Sequence, residues 1–454
     1  MDLRGKEVTV VGLGRSGIGA ARLLLAKGAR VFLSDAAESD TLKAHAARLR
    51  AEGAEVELGT HTEARFTRAD LVVTSPGVPT GLPVLEAARR AGVSVVGDFE
   101  LAARFCTVRT LAVTGTNGKT TTTELLHAMV AAGGTRTLLA GNNATPFSEA
   151  VLADPPADII VLEVSSYQLE ACETFRPWAG AVLNLTPDHL GRHGSMEAYA
   201  AAKARLFMNQ GAGDIAVLNA DDPIVAAMHV PPGPRLYHFS MCREVPEGLW
   251  LDREVIRCGR AAIAHVRDCP LPGRHNLANA LAALTLIEAC GLPWDAALQA
   301  LRRFRGVEHR IEWVARHEGV DYYNDSKSTN VDSLQVALES FSRPIVLIAG
   351  GRGKGAPYAP LAPLIQARVK RLITIGEDAP LLEAAFGGIT RTERAADMED
   401  AVLRARGSAA PGDVVLLSPA CASFDMYRNF EERGRDFKRC VTQALAAEPS
   451  GESR

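Results

Sequence analysis

The 454-residue chain has no apolar run approaching the ~18 residues needed to cross a bilayer, and its start, MDLRGKEVTVVG, enters a strand without a signal-type apolar core. Both absences predict a cytoplasmic protein without membrane insertion. The sequence also lacks any Cys-x-x-Cys pair. Its eight cysteines are scattered without histidines at zinc spacing, which argues against a zinc module or a disulfide framework. Long single-sign charge blocks are missing too, and the net charge is only −3, so nothing suggests a nucleic-acid surface. Lysine is scarce: nine of the 50 basic residues. A lysine in a glycine-rich or polar segment therefore asks for a reason.

Short Val/Ile/Leu runs alternate along the chain with Ala/Leu/Arg-rich helical patterns, the mark of β-α-β units on parallel sheets. EVTVVGLG, ARVFLSD, DLVVTSPG and VSVVGD supply the strands of a first block, residues 1–97. A second block, 98–305, carries RTLAVT, ADIIVLEVSS, AGAVLNLT and DIAVLNADDP, with a strand-rich, turn-broken stretch over 235–266 that predicts a small antiparallel addition. The third, 306–454, repeats the pattern with PIVLIAGGRGKG, RLITIGE and GDVVLLSPA. Three tandem α/β domains are expected: two Rossmann-like ends around a central nucleotide-binding domain. The tail AAEPSGESR reads as disordered.

Two segments point to anions. VVGLGRSG places Gly12, Gly14 and Gly17 in a G-x-G-x-x-G, with Asp35 closing the next strand. Such a turn presents backbone N–H groups to a pyrophosphate and, taken alone, suggests an NAD-dependent oxidoreductase. The sharper segment is LAVTGTNGKTTTTELL: a strand runs into Gly115, Thr116, Asn117, Gly118, Lys119, Thr120 and Thr121, and a helix follows. There the backbone can cradle phosphates, Lys119 neutralise them and Thr120 ligate magnesium. The position of the usual first glycine is Val113, so the loop is a variant. A non-enzymatic nucleotide switch would explain this loop but leave the polar segments of the third block without a task.

TGTNGKTTTTELL resembles the ATP loop of the Mur ligase family, ATP-dependent amide ligases that include the folylpolyglutamate synthases. LEVSSYQLE, NLTPDHLGRHG, YAAAKARLF, GRHNLANALAA, HRIEWV, NDSKSTN and LLSPACASFDMYRNFEERGRDF follow in that family's order. The resemblance implies a phosphate-loop ATPase domain, ATP with two magnesium ions, and catalytic roles for Lys119, Glu163, His189 and Lys203. Thr120, Glu163, His189 and a carbamylated Lys203 would hold the metal. ATP would further meet Asn276, Asn279, His309, Arg310, Asp325 and Lys327. A UDP-linked substrate would meet Gly14, Arg15, Ser16, Asp35, Gly77, Asn142, Ser165, Gln168 and Arg192. The ending SPACASFDMYRNFEERG favours members that add D-glutamate to UDP-N-acetylmuramoyl-L-alanine in peptidoglycan synthesis, with Thr329, Lys354, Ser423 and Phe430 around the amino acid. L-alanine-adding and folylpolyglutamate-type members are the alternatives. A monomer acting on small molecules is expected, with closure between domains assembling the site.

The residues carry independent hints. Glu163 ends an apolar strand, at the edge where α/β sheets bind ligands. Lys203 lies in a helix that Ser195 can cap. Asn276 and Asn279 stand three apart in a helix, where asparagine is unfavourable without a task. One departure stands out: the family's D-H-x-D-R strip reads Asp188-His189-Leu190-Gly191-Arg192, so an acid is missing. His193 is the candidate substitute.

Overall fold

The computed structural model describes residues 1–79, 81–142 and 145–446. It contains two compact units: Met1–Cys269 with Leu277–Arg303, and Pro270–Asn276 with Phe304 onward. The tail expected to be disordered lies, from residue 447 on, outside the described residues. Among the described residues, no helix is long and apolar enough to cross a membrane.

The first unit holds two sheets. One contains β1 (Glu7–Val11), β2 (Arg30–Asp35), β3 (Glu55–Leu58), β4 (Leu71–Thr74) and β5 (Ser94–Gly97) in the order β3-β2-β1-β4-β5, all parallel. The order reverses between β1 and β4, which opens a crevice beyond their carboxyl ends.

The second sheet has nine strands: β6 (Arg109–Thr114), β7 (Thr137–Gly141), β8 (Ile159–Glu163), β9 (Ala179–Val182), β10 (Ile215–Asn219), β11 (Arg235–Ser240), β12 (Gly248–Asp252), β13 (Val255–Cys258) and β14 (Ala261–His265). Their order is β14-β13-β12-β11-β10-β9-β6-β8-β7. The central strands are buried end to end because helices cover both faces, as in β8, IIVLE. Phe99, Phe147 and Phe175 meet at ring separations of 4.9 to 6.3 Å within the core shared by the two sheets.

The antiparallel addition is smaller than the sequence suggests. β11 pairs parallel with β10 and β12, and only β12-β13-β14 form an antiparallel meander. β11 is buried only at Phe239 and Ser240, so RLYHFS does not show the continuous apolar run of an interior parallel strand.

The second unit is built on β15 (Glu312–His317), β16 (Val320–Asn324), β17 (Ile345–Gly350), β18 (Val369–Ile375), β19 (Arg391–Arg394) and β20 (Val414–Leu417), ordered β15-β16-β20-β17-β18-β19. All neighbours are parallel except β15, which folds back on β16. Separate apolar clusters cover its two faces.

Candidate active site

The phosphate loop leaves β6 and enters the helix Lys119–Ala132 through Gly118, whose φ is 84°. A side chain there would be doubly penalised: that φ favours glycine, and a Cβ would lie 2.2 Å from Asn279 Oδ1. Asn279 is thereby packed against the loop. Thr116 is fixed by accepting the Thr186 N–H at 3.1 Å and by a 3.1 Å contact with the Tyr199 hydroxyl. The Asn117 backbone N–H donates to Asn184 Oδ1 at 2.8 Å. Lys119 Nζ donates to the carbonyls of Gly115 and Thr116, at 3.0 and 2.8 Å, so its charge is held over the loop. Thr120 and Thr121 are buried at the first turn of the helix.

Lys203 is not a solvated helix lysine. Ser195 caps the helix Met196–Ala204 through the Ala198 N–H, and Lys203 lies in its last turn, 1% exposed. Its Nζ donates to Gly115 O at 2.8 Å and Thr114 Oγ1 at 3.2 Å, and sits 4.8 Å from the centre of the Tyr199 ring. Burial lowers its pKa to about 7, helped by the nearby Lys119 charge and opposed by Asp188 and Glu163. An amine so placed is substantially neutral near neutral pH.

Glu163 ends β8 at 1% exposure, in register with Val113 on β6, and its Oε1 accepts from Asn142 Nδ2 at 3.0 Å. His189 contrasts with these buried groups. Its backbone is left-handed, φ 54°, its side chain is 46% exposed, and its ring stands 5.0 Å from that of Tyr167. Thr120, Glu163 and Lys203 suit a hard cation through oxygen donors, provided Lys203 carries a carboxylate. Among the described residues, no three acidic, His or Cys side chains cluster as a metal cage.

His193 is committed elsewhere than to a freely placed acid's role. Its Nδ1 lies 2.8 Å from Glu170 Oε1 and its Nε2 3.0 Å from Ser166 Oγ, with 1% of the side chain exposed. Arg192 donates to Glu170 Oε2 at 3.0 Å and stacks on Tyr167 at 4.4 Å.

A cavity of about 600 Å³ opens in the crevice between β1 and β4 and extends to the end of β7. Gly14, Arg15, Ser16, Asp35, Gly77, Asn142 and Gln168, all expected around a UDP group, line it. Ser165 and Arg192 do not. Ser165 instead caps the helix Ser166–Glu170 in a capping box with Gln168. The Asp35 carboxylate accepts the Leu13 and Ala37 N–H groups at 2.7 and 2.9 Å, which ties the glycine turn to the end of β2.

In the second unit, Asp325 is buried after β16 and accepts from Ser418 Oγ at 2.7 Å and the Ile311 N–H at 3.2 Å. Burial raises its pKa to about 7 against these donors and the charges of Arg310 and Arg433. His309 is 3% exposed and its Nδ1 lies 2.9 Å from Asn324 Nδ2. Gly434 leaves room for that ring, since a Cβ there would lie 2.2 Å from Nδ1. Phe430 packs edge-on to His309 at 6.1 Å, and Lys327 Nζ lies 5.9 Å from the Phe430 ring centre. Lys354 Nζ donates to Thr329 Oγ1 at 3.4 Å, so two of the four residues expected around the amino acid meet directly. Ser423 is buried and accepts the Met426 and Tyr427 N–H groups at its carbonyl. Asn276 donates from Nδ2 to Pro272 O at 2.7 Å.

Arg433 was not singled out in the sequence. It is 2% exposed, donates to Ser326 Oγ, Ser326 O and Cys421 O, and leaves Nη1 unpaired beside Gly351. A signal existed: Arg433, Phe437, Cys440, Val441 and Ala444 share the buried face of the helix Phe430–Ala446. Tyr199 was likewise missed, and only the fold reveals its contact with Thr116.

Three family models match the chain: Mur ligase MurD-like, N-terminal domain, over residues 6–97; Mur ligase middle domain over 113–287; and Mur ligase, glutamate ligase domain over 309–421. Proteins named UDP-N-acetylmuramoylalanine--D-glutamate ligase match nearly end to end. The one from Pelotomaculum thermopropionicum is 47% identical over 97% of this chain and 98% of its own. The one from Anaeromyxobacter dehalogenans is 48% identical over the same shares. Among solved structures, UDP-N-acetylmuramate-alanine ligase MurC from Thermotoga maritima superposes with a TM-score of 0.61 at 20% identity, covering 97% of this chain and 100% of that one. A pseudomurein peptide ligase type C from Methanothermus fervidus gives 0.56 at 18%, covering 97% and 99%. These two support the fold alone.

Proposed function

The chain belongs to the Mur ligase family, and on that premise we propose that it joins D-glutamate to UDP-N-acetylmuramoyl-L-alanine at the expense of ATP, in peptidoglycan precursor synthesis. The observation that carries this reading is the 3.0 Å hydrogen bond from Asn142 to Glu163. Asn142 lines the cavity suited to a sugar nucleotide, and Glu163 is the buried acid on the strand paired with the phosphate-loop strand. The bond joins the two at the point where the end of the sugar-peptide must meet the ATP γ-phosphate.

A carboxylate does not condense with an amine in neutral water. ATP phosphorylates the alanyl carboxylate to an acyl phosphate, the D-glutamate amine adds to its carbonyl carbon, and the tetrahedral intermediate collapses with loss of phosphate. Concentrated charge on the transferring group makes positioning and neutralisation the main catalytic tasks. Lys119 and the loop N–H groups serve both. Magnesium, when bound, would shield the phosphate oxygens, held by Thr120, Glu163 and a carbamate on Lys203, with His189 nearby. The carbamate forms when the neutral Lys203 amine adds to the carbon of carbon dioxide and releases a proton, and the amine's depressed pKa favours that step. Gly14, Arg15, Ser16, Asp35 and Gly77 would receive the UDP end. Asp325, His309, Arg310, Lys327, Asn276 and Asn279 would serve ATP. Lys354, Thr329, Ser423 and Phe430 would take D-glutamate, with the unpaired Arg433 Nη1 as a further donor for its carboxylates.

The test is phosphate release from ATP and UDP-N-acetylmuramoyl-L-alanine with D-glutamate, L-glutamate, L-alanine or meso-diaminopimelate. Release should depend on D-glutamate. Equal or greater release with another amino acid would reassign the chain within the family.

A further inference from the structure

His189 begins a short turn whose far end is tied from another helix. Its backbone stands in the left-handed region, φ 54°, which a residue with a Cβ resists. Inside the turn, Asp188 Oδ1 accepts the His189 N–H at 2.8 Å. The His189 carbonyl accepts the N–H groups of Arg192 and His193 at 2.9 and 3.1 Å, so this backbone angle and the helix Leu190–His193 form as one piece. Gly191 contributes no side chain to fix that piece, and the place of its Cβ is open space. The strip that lacks an acid at 191 receives one from Glu170, at the end of the helix Ser166–Glu170.

The Glu170 carboxylate divides its oxygens between two residues of the turn. Oε1 lies 2.8 Å from His193 Nδ1, and Oε2 accepts from Arg192 Nε at 3.0 Å. The His193 side chain is 1% exposed, and its Nε2 meets Ser166 Oγ at 3.0 Å, so the ring is bound to both ends of the helix Ser166–Glu170. Between those ends Tyr167 faces three groups of the turn. The Arg192 guanidinium lies 4.4 Å from its ring centre, the His193 ring stacks at 5.7 Å, and the His189 ring stands at 5.0 Å. His189 also lies 6.5 Å from the ring of Tyr199, the residue in contact with Thr116 of the phosphate loop.

We propose that Glu170 is a positioning residue for the ligase reaction: by holding Arg192 and His193 on separate oxygens it keeps the turn, and with it His189, against Tyr167. The inference rests on the role given to His189 above. Glutamine has the same size as glutamate but a single uncharged acceptor oxygen, so it can serve Arg192 or His193 and not both. The Glu170 side chain is 32% exposed, which makes its grip on the turn a matter of geometry more than of overall stability.

Glu170→Gln in the full-length protein tests this by two measurements. In steady-state kinetics kcat should fall at least tenfold, with the KM values for ATP, D-glutamate and the UDP substrate within twofold, the pattern of a group needed in the transition state. In metal-free protein carrying 13C-labelled histidine, the His189 Cε1–H resonance, assigned by its loss in His189→Gln, should move toward its position in Tyr167→Leu as the ring leaves Tyr167. A resonance that stays in place in Glu170→Gln, or that Tyr167→Leu does not move, overturns the proposal. So does an unchanged kcat in a variant of a wild type that turns over D-glutamate, and the reaction assigned above then stands. A wild type that releases no phosphate with D-glutamate overturns both.

Discussion

Lys203 and Asp325 are both charged residues taken into the interior, and in each the depressed or raised pKa states what burial costs. For Lys203 the cost favours a neutral amine near pH 7, the form that the proposed carbamate requires. Lys203→Ala should therefore cut turnover at least a hundredfold, and added short-chain carboxylic acids should restore part of it, measured as phosphate release. Unchanged turnover would leave Lys203 as a packing residue. Asp325 titrates at about 7 when folded, against ~3.9 for an unperturbed aspartate, so the folded state holds its proton where the unfolded chain has lost it. Its contribution is most favourable below the unfolded value and declines as pH rises from about 4 to about 7, by up to ~1.4 kcal/mol per pH unit. Asp325→Asn carries no such penalty, so its Tm relative to wild type should climb between pH 4 and pH 8 in scanning calorimetry. A difference independent of pH would show that the Arg310 and Arg433 charges cancel the burial.

Among elements, the phosphate loop shows how a short sequence can specify a site. Strand, glycine loop and helix were readable in order, and the loop's hardest constraint, the left-handed Gly118, is the one Asn279 exploits by packing its amide against the bare Cα. Gly118→Ala should abolish ADP formation through displacement of Asn279 and the helix start, while UDP binding, which uses β1 and β4, stays within twofold; equal loss of both would mean general unfolding. Elements with continuous apolar runs, such as β8 and β17, were legible because both faces are buried. β3, with only part-buried or exposed positions in EVEL, and β19, with charged and hydroxyl side chains in RTER, gave no such signal. The site divided along the same line. Lys119, Glu163 and Asp325 sit where a strand ends, so local pattern located them. Tyr199 and Arg433 are placed by contacts with residues 83 and 107 positions away, respectively Thr116 and Ser326, which no local pattern encodes.

At the scale of the whole molecule, each compact unit carries its own set of candidate-site residues. The first holds the β1–β4 crevice, the phosphate loop, Glu163 and Lys203; the second holds Asp325, Thr329, Lys354, Ser423 and Arg433. Apart from Lys203 and Arg433, which lie on helices, both sets follow the carboxyl ends of parallel strands, where α/β folds bind ligands because strand order reverses and helix starts converge. Each substrate should therefore leave its own footprint in amide hydrogen exchange. A ligand that binds the native state stabilises what it touches by RT ln(1 + [L]/Kd), about 2.7 kcal/mol at a hundredfold excess over Kd, and openings of contacted loops should slow accordingly. UDP should protect peptides containing Gly12–Ser16, Asp35–Ala36, His61 and Ser75–Pro79, and leave those containing Ser326–Thr329 and Gly351–Lys354 unchanged. D-glutamate with the product nucleotides present should slow the latter and the segment around Cys421–Arg433. Protection of the second unit's loops by UDP alone would contradict the proposed division of substrates between the units, because every described residue lining the β1–β4 cavity belongs to the first unit.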